Sequence, residues 1–223
     1  RDAQESRGLG DVYKRQNDRE WGADVETAKD FDITKIKPEQ WVKAVKDAGI
    51  TGVILTCKHH DGFCLWDTKY TDFNVMNTKI HTDIVKAVAD ACYVNDIDFG
   101  VYLSPWDMHE PCYATPEYND YFVNQLTELL TNYGEIFEVW FDGAKGANAK
   151  AFTYDWKRYY ETIHKLQPKA NIAICGEDIR WVGNEAGKAR KNEYSVVPAS
   201  LRECESTEKN SCLLYTYPSP RDS

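Results

Sequence analysis

Four times along this chain an amphipathic helical stripe gives way to a short, continuously apolar run, and each run stops on a cluster of polar residues. That alternation constrains the fold more than any other feature. Trp41, Val42, Val45 and Ala48 form the first stripe, closed by Gly49, and TGVILTC (51–57) follows as a β-branched run. Ile84, Val85, Val88 and Cys92 form the second, after Thr82 as the expected N-cap, and lead to FGVYLS (99–104). The third opens with Thr115 as cap and Pro116 in its first turn, carries Phe122, Leu126, Leu129 and Leu130 to Gly134, and precedes IFEVWF (136–141). Trp156, Tyr159, Tyr160 and Ile163 make the fourth, which ends before Pro168 and is followed by NIAIC (171–175). Apolar runs joined by helices at intervals of roughly 35–47 residues predict right-handed βα units and a parallel sheet buried on both faces.

An open doubly wound sheet and a closed barrel both satisfy this pattern, and the polar clusters separate them. KHHDGF (58–63), SPWDMH (104–109), DG (142–143) and GEDIRWVGNE (176–185) all follow the carboxyl ends of strands, which is one face of the molecule. Barrel enzymes assemble their sites there from several strands in turn. A dinucleotide-binding sheet instead concentrates a glycine-rich signature in its first turn, and none occurs here. The predicted fold is α/β, a partial (β/α)8 TIM-like barrel with its middle strands present and its first and last strands missing.

The termini are set apart on other grounds. DVYKRQ (11–16) and CLLYT (212–216) are opposite-strand translations of one short DNA, which resembles a transposase mosaic end of a sequencing adapter. Residues 1–16 and 211–223 are therefore expected to be adapter-derived tails, and 17–210 to be the barrel segment of a gene cut at both ends. Without the tails, which hold five basic and four acidic residues, the net charge moves from -9 to -10. An acidic balance argues against nucleic acid or an anionic membrane surface as partner, and no run is long enough for a membrane-spanning helix. Six cysteines remain outside the tails and none forms a C-x-x-C pair. Cys57, Cys92 and Cys175 fall within apolar elements and are read as structural.

Asp142 carries the sharpest question, because an apolar strand ends on its carboxylate. Strand alternation turns Trp140 and Asp142 one way, into the barrel mouth, and Val139 and Phe141 toward the surrounding helices. A helix N-cap or an ion pair with a lysine would explain such a carboxylate as well as chemistry would. His59 and His60 are adjacent, so in a continuing strand they point to opposite sides and do not chelate one metal unless the chain bends. No H-x-H or H-E-x-x-H motif occurs, so neither a metal nor any other cofactor is expected. Neutral imidazoles also pair well with sugar hydroxyls, donating and accepting at once. Trp21, Trp66, Trp106, Trp140 and Trp181 all flank polar clusters, where indole faces pack against the apolar faces of sugars.

DREWG (18–22), GVILTCKHHDGFCLWDTKYTDF (52–73), VYLSPWD (101–107), EVWFDG (138–143) and RWVGNE (180–185) together resemble the catalytic domain of the family 29 glycoside hydrolases, the α-L-fucosidases. The resemblance runs through essentially the whole chain outside the tails. It implies that Asp142 is the nucleophile, that His59, His60 and Trp140 bind fucose, and that Glu185 is the general acid/base, with Glu177, Asp178 and Glu193 as competitors. From the same motifs Glu20, Trp21, Trp66, Trp106, Asp107, Arg180 and Trp181 are expected to contribute to the sugar site. The implied substrate is a fucosylated oligosaccharide or glycoprotein glycan, with α-1,3/1,4 linkages favoured by the likeness of RWVGNE to that branch. A periplasmic or secreted location is in keeping with the family, and oligomeric state is left open.

Retaining glycosidases use one ionised carboxylate to attack the anomeric carbon and a second, protonated one to release the leaving group, some 5–5.5 Å apart. The resemblance gives Asp142 the first task and Glu185 the second, with its pKa expected to rise beside Trp181. The chain by itself is expected to fold poorly and not to turn over substrate. Two other readings stand beside this one: a metal-dependent barrel hydrolase using His59, His60 and Asp142, and a catalytically silent carbohydrate-binding barrel.

Overall fold

The structure is a computed structural model that describes residues 35–146, 151–173 and 178–179, together with Ala28 and Ala149. Its elements alternate as α1 (Pro38–Asp47), β1 (Gly52–Lys58), α2 (Ile84–Asn95), β2 (Asp98–Leu103), α3 (Glu117–Asn132), β3 (Glu138–Phe141), α4 (Trp156–Leu166) and β4 (Asn171–Ala173). The four strands form one parallel sheet in the order β1-β2-β3-β4. Register runs from Gly52 opposite Asp98, through Tyr102 opposite Trp140, to Trp140 opposite Ala173. No helix among the described residues is long and apolar enough to cross a membrane.

Every expected strand and helix forms, and the differences lie at their ends. Asp83, not Thr82, caps α2: its carboxylate accepts the Lys86 amide at 2.7 Å, while the Thr82 hydroxyl donates to the Ile80 carbonyl at 2.8 Å. A carboxylate is favoured over a hydroxyl there because it also meets the positive end of the helix dipole. Thr115 likewise turns away, donating to Cys112 O at 2.8 Å, and α3 starts behind Pro116 without a side-chain cap. In α1 only Val42 of the expected stripe is buried, and Trp41 and Ala48 stand exposed. The helix packs chiefly against α2 rather than on the sheet. The other three stripes are buried as expected except for half-buried Trp156, with Val88, Phe122, Leu126, Tyr159 and Ile163 all in the core.

Gly100 sits where two strands approach closely. A Cβ there would lie 2.9 Å from the Glu138 carbonyl oxygen, so no larger residue fits without shifting β3. Cys57, Cys64 and Cys92 are free and buried, and burial pushes the first two thiols well above their ordinary range, which makes them inert packing groups.

Glu138 opens β3 on the same side as Trp140, at the amino end of the sheet, and is 7 % exposed. Burial pushes its carboxyl from an ordinary 4.5 up to about 7. Between those values the folded protein holds this proton more tightly than the unfolded chain does, so stability falls as pH rises from 4.5 toward 7. Glu138→Gln, which cannot ionise, should flatten that part of the profile. Thermal melts of both proteins from pH 5 to pH 8 check this, and an unchanged slope would contradict it.

Candidate active site

The site is built where β1, β2 and β3 end. Between Thr56 and Lys58 the pairing register slips, and a bulge of this kind re-aims a strand end. The strand then stops at Lys58 and the chain turns, with the Gly62 amide donating to the His59 carbonyl at 3.1 Å and Gly62 at φ +83. A Cβ at Gly62 would also stand 2.4 Å from Asp107 Oδ1, so glycine is required twice over. This is the bend that lets His59 and His60 share a side. Their rings lie on one side, with centroids 4.0 Å apart at an interplanar angle of 47°.

His60 is 5 % exposed and packs against Trp106, centroid to centroid 4.7 Å. The Ser104 hydroxyl has one proton, which goes to the Trp106 carbonyl at 2.8 Å; the 2.7 Å contact with His60 therefore runs from Nδ1–H to Ser104 Oγ. That assignment leaves His60 Nε2 directed at Asp142 Oδ1, 3.8 Å away. His59 stacks at 9° on Tyr102, 5.8 Å between centroids.

Asp142 does not face the helices. Val139 and Phe141 do: both are fully buried, and Phe141 meets Phe122 of α3 and Trp156 and Tyr159 of α4. Trp140 and Asp142 point the other way, and 25 % of the Asp142 side chain remains exposed. Its two oxygens are oriented separately, Oδ2 by the Tyr102 hydroxyl at 2.7 Å and Oδ1 by the Ala144 amide at 2.7 Å. This is an aimed carboxylate rather than a helix cap. The Asp142 oxygen and one ring nitrogen each from His59 and His60 lie within 4.8 Å of one another.

Two expected sugar contacts lie elsewhere. Trp66 is fully buried and its indole N–H donates to Glu128 Oε2 at 2.9 Å, so its ring belongs to the core. Asp107 is 1 % exposed, with Oδ2 2.8 Å from the Lys58 ammonium and Oδ1 accepting the His109 and Glu110 amides at 3.0 and 2.9 Å. Its capacity is spent inside the protein. Trp106 and Trp140 stay half-buried beside the histidines and Asp142, where a ligand can reach them.

Glu20, Trp21, Arg180, Trp181, Glu185, Glu177 and Glu193 lie outside the described residues. Asp178 is described, and its Oδ2 accepts the Ile172 amide at 2.9 Å. Three residues were missed by sequence reasoning. Tyr102 in β2 and Ser104 just past its end share a side by simple alternation, so a polar residue at each of two alternate positions near a strand end was the available signal. Lys58 gave none, because its partners Asp107 and Gln125 are 49 and 67 residues away.

A family model described as Alpha-L-fucosidase matches residues 4–213, a span that enters both termini. Among curated relatives, Alpha-L-fucosidase 1 of Arabidopsis thaliana is 47% identical over 184 residues, covering 80% of this chain and 36% of its own length. A solved glycoside hydrolase 29 family member from an unknown rumen bacterium superposes with a TM-score of 0.75 at 37% identity, covering 91% of this chain and 41% of that one. A Ruminococcus gnavus GH29 fucosidase solved in complex with fucose gives a TM-score of 0.75 at 32% identity, over 92% of this chain and 50% of that one. The chain spans about a third of the length of the first curated relatives it matches. A parallel sheet with an aimed aspartate and a histidine pair at its carboxyl edge, matched along nearly its whole length by such proteins, belongs to the alpha-L-fucosidase family.

Proposed function

We propose that the complete protein removes terminal α-L-fucose from oligosaccharides or glycoprotein glycans with retention of configuration, and that α-1,3/1,4 linkages are its targets. The observation that carries this reading is the seating of Asp142: at a strand mouth, part exposed, one oxygen held by a phenol and the other by a backbone amide, with two imidazoles beside it. The sequential strand order supports a (β/α)8 barrel of which residues 17–210 form the middle, with 1–16 and 211–223 outside it, because a doubly wound sheet reverses its order partway.

In this mechanism Asp142 attacks the anomeric carbon. The bond to the glycosidic oxygen breaks, and that oxygen takes the proton of Glu185. Water then gives a proton to Glu185 and its oxygen to the anomeric carbon, releasing Asp142. Two inversions give net retention. His59, His60, Trp106 and Trp140 hold the sugar, joined by Glu20, Trp21, Arg180 and Trp181; Trp66 and Asp107 have no part in it. The Ruminococcus gnavus relative solved with fucose supports the choice of sugar.

Linkage-defined fucosyl oligosaccharides, followed by proton NMR with the full-length protein, test the reading. α-Fucose should appear first, with the β anomer growing in only by mutarotation, and a chelator should leave the rate unchanged. β-Fucose first would mean inversion. Loss of activity on chelation would favour a metal-dependent hydrolase built on the same trio, and binding without release would favour a silent carbohydrate-binding barrel.

A further inference from the structure

We infer that His59, His60 and Asp142 also form a binding site for a transition-metal dication of the zinc type, which competes with the sugar and closes the site. Only the competition rests on the fucosidase reading; the site itself rests on geometry.

One atom from each of the three side chains lies within 4.8 Å of the other two. Around a tetrahedral zinc, with bonds of about 2.0–2.2 Å, neighbouring ligand atoms stand roughly 3.3–3.5 Å apart. The His60 Nε2 to Asp142 Oδ1 separation of 3.8 Å is already close to that. The third atom lies within 4.8 Å of both, so a side-chain movement on the order of 1 Å brings it to zinc-ligand spacing.

The arrangement around the ligands points the same way. His60 Nδ1 faces Ser104 Oγ at 2.7 Å, so Nε2 is the ring nitrogen on the Asp142 side, 3.8 Å from Oδ1. Two of the three ligands are also braced from behind, His60 by Ser104 and Asp142 by Tyr102, and bracing of this kind orients metal ligands and raises their affinity. Two imidazoles and one carboxylate select Zn2+, Co2+ or Cu2+ over Mg2+ or Ca2+, and three protein ligands leave a fourth position open to water. The bend at Gly62 is what makes this possible, since an extended chain would have separated the rings.

The test uses Co2+ as the spectroscopic probe on the full-length protein. One Co2+ per chain should bind with the visible ligand-field absorption of a four-coordinate imidazole site, and Zn2+ or fucose should abolish it. His59→Gln and Asp142→Asn should each remove the spectrum. Ser104→Ala, which leaves all three ligands in place, should weaken Co2+ binding about 10-fold or more. Should His59→Gln not fold, Asp142→Asn carries the same test. With an aryl fucoside, Zn2+ should raise KM at constant kcat, and Ca2+ should not. Absence of the spectrum, or its survival in both ligand variants, overturns the site even if the protein hydrolyses fucosides. Co2+ bound through these residues in a protein that does not hydrolyse fucosides keeps the site and overturns the fucosidase reading instead. Purely non-competitive Zn2+ inhibition of an active enzyme overturns the competition.

Discussion

Lys58→Met is expected to cost about 3–5 kcal/mol of stability, among the largest losses available to a single change in this protein. Lys58 is fully buried, and its ammonium is shared among Asp107 Oδ2 at 2.8 Å, Gln125 Oε1 at 2.9 Å and Tyr118 Oη at 3.5 Å. The rings of Tyr118, Tyr121 and Phe122 surround it at 5.4–5.8 Å. Methionine fills most of the volume but leaves the Asp107 carboxylate buried with only two loop amides for company. An uncompensated buried charge is what makes breaking such a pair expensive. Asp107→Asn should cost a comparable amount for the mirror-image reason, although it keeps an acceptor for those amides. The double variant should therefore lose much less than the sum of the two. Denaturant melts of the four proteins measure the coupling, and strict additivity would mean that the pair is not the unit described.

The same pair ties the histidine turn to the loop after β2. The Ser104 amide donates to the Lys58 carbonyl at 3.0 Å, the Met108 amide to the His60 carbonyl at 2.8 Å, and Gly62 lies flat against Asp107. Loosening Lys58 or Asp107 should consequently displace His60 as well as destabilise the fold.

Asp142→Ala should lower turnover of an aryl fucoside by roughly 10^3-fold or more in the full-length protein, with correct folding and retained sugar binding. Removing the attacking carboxylate eliminates the covalent route and leaves a space beside the anomeric carbon. Azide should enter that space and restore turnover as β-fucosyl azide, because one inversion then replaces two. The product's configuration is the decisive readout: an α-azide, or rescue that bypasses the anomeric carbon, would show that Asp142 is not the attacking group.

How much of this was legible in the sequence depends on the range of the interaction. The strands and three of the four helical stripes are set by local periodicity, and so is the facing of Val139 and Phe141 against Trp140 and Asp142. Local signals fail where neighbours compete for one role, as Thr82 and Asp83 do for the cap of α2. They fail again for Trp66 and Asp107. Both stand beside polar residues in sequence, but which side of a loop faces inward is decided by Glu128 and Lys58, 62 and 49 residues away. The histidine pair shows where alternation stops. Alternation holds only while the strand continues, and the slipped register and the Gly62 turn end it one residue before His59.

Trapping the covalent intermediate is the strictest test of Asp142 as the nucleophile. A fluorinated fucosyl donor that forms the glycosyl-enzyme quickly and hydrolyses slowly should add one fucosyl group to the full-length protein, and peptide mapping by mass spectrometry should find it on Asp142. A label on any other carboxylate, or no label from an enzyme that turns the donor over, would show that Asp142 is not the attacking group.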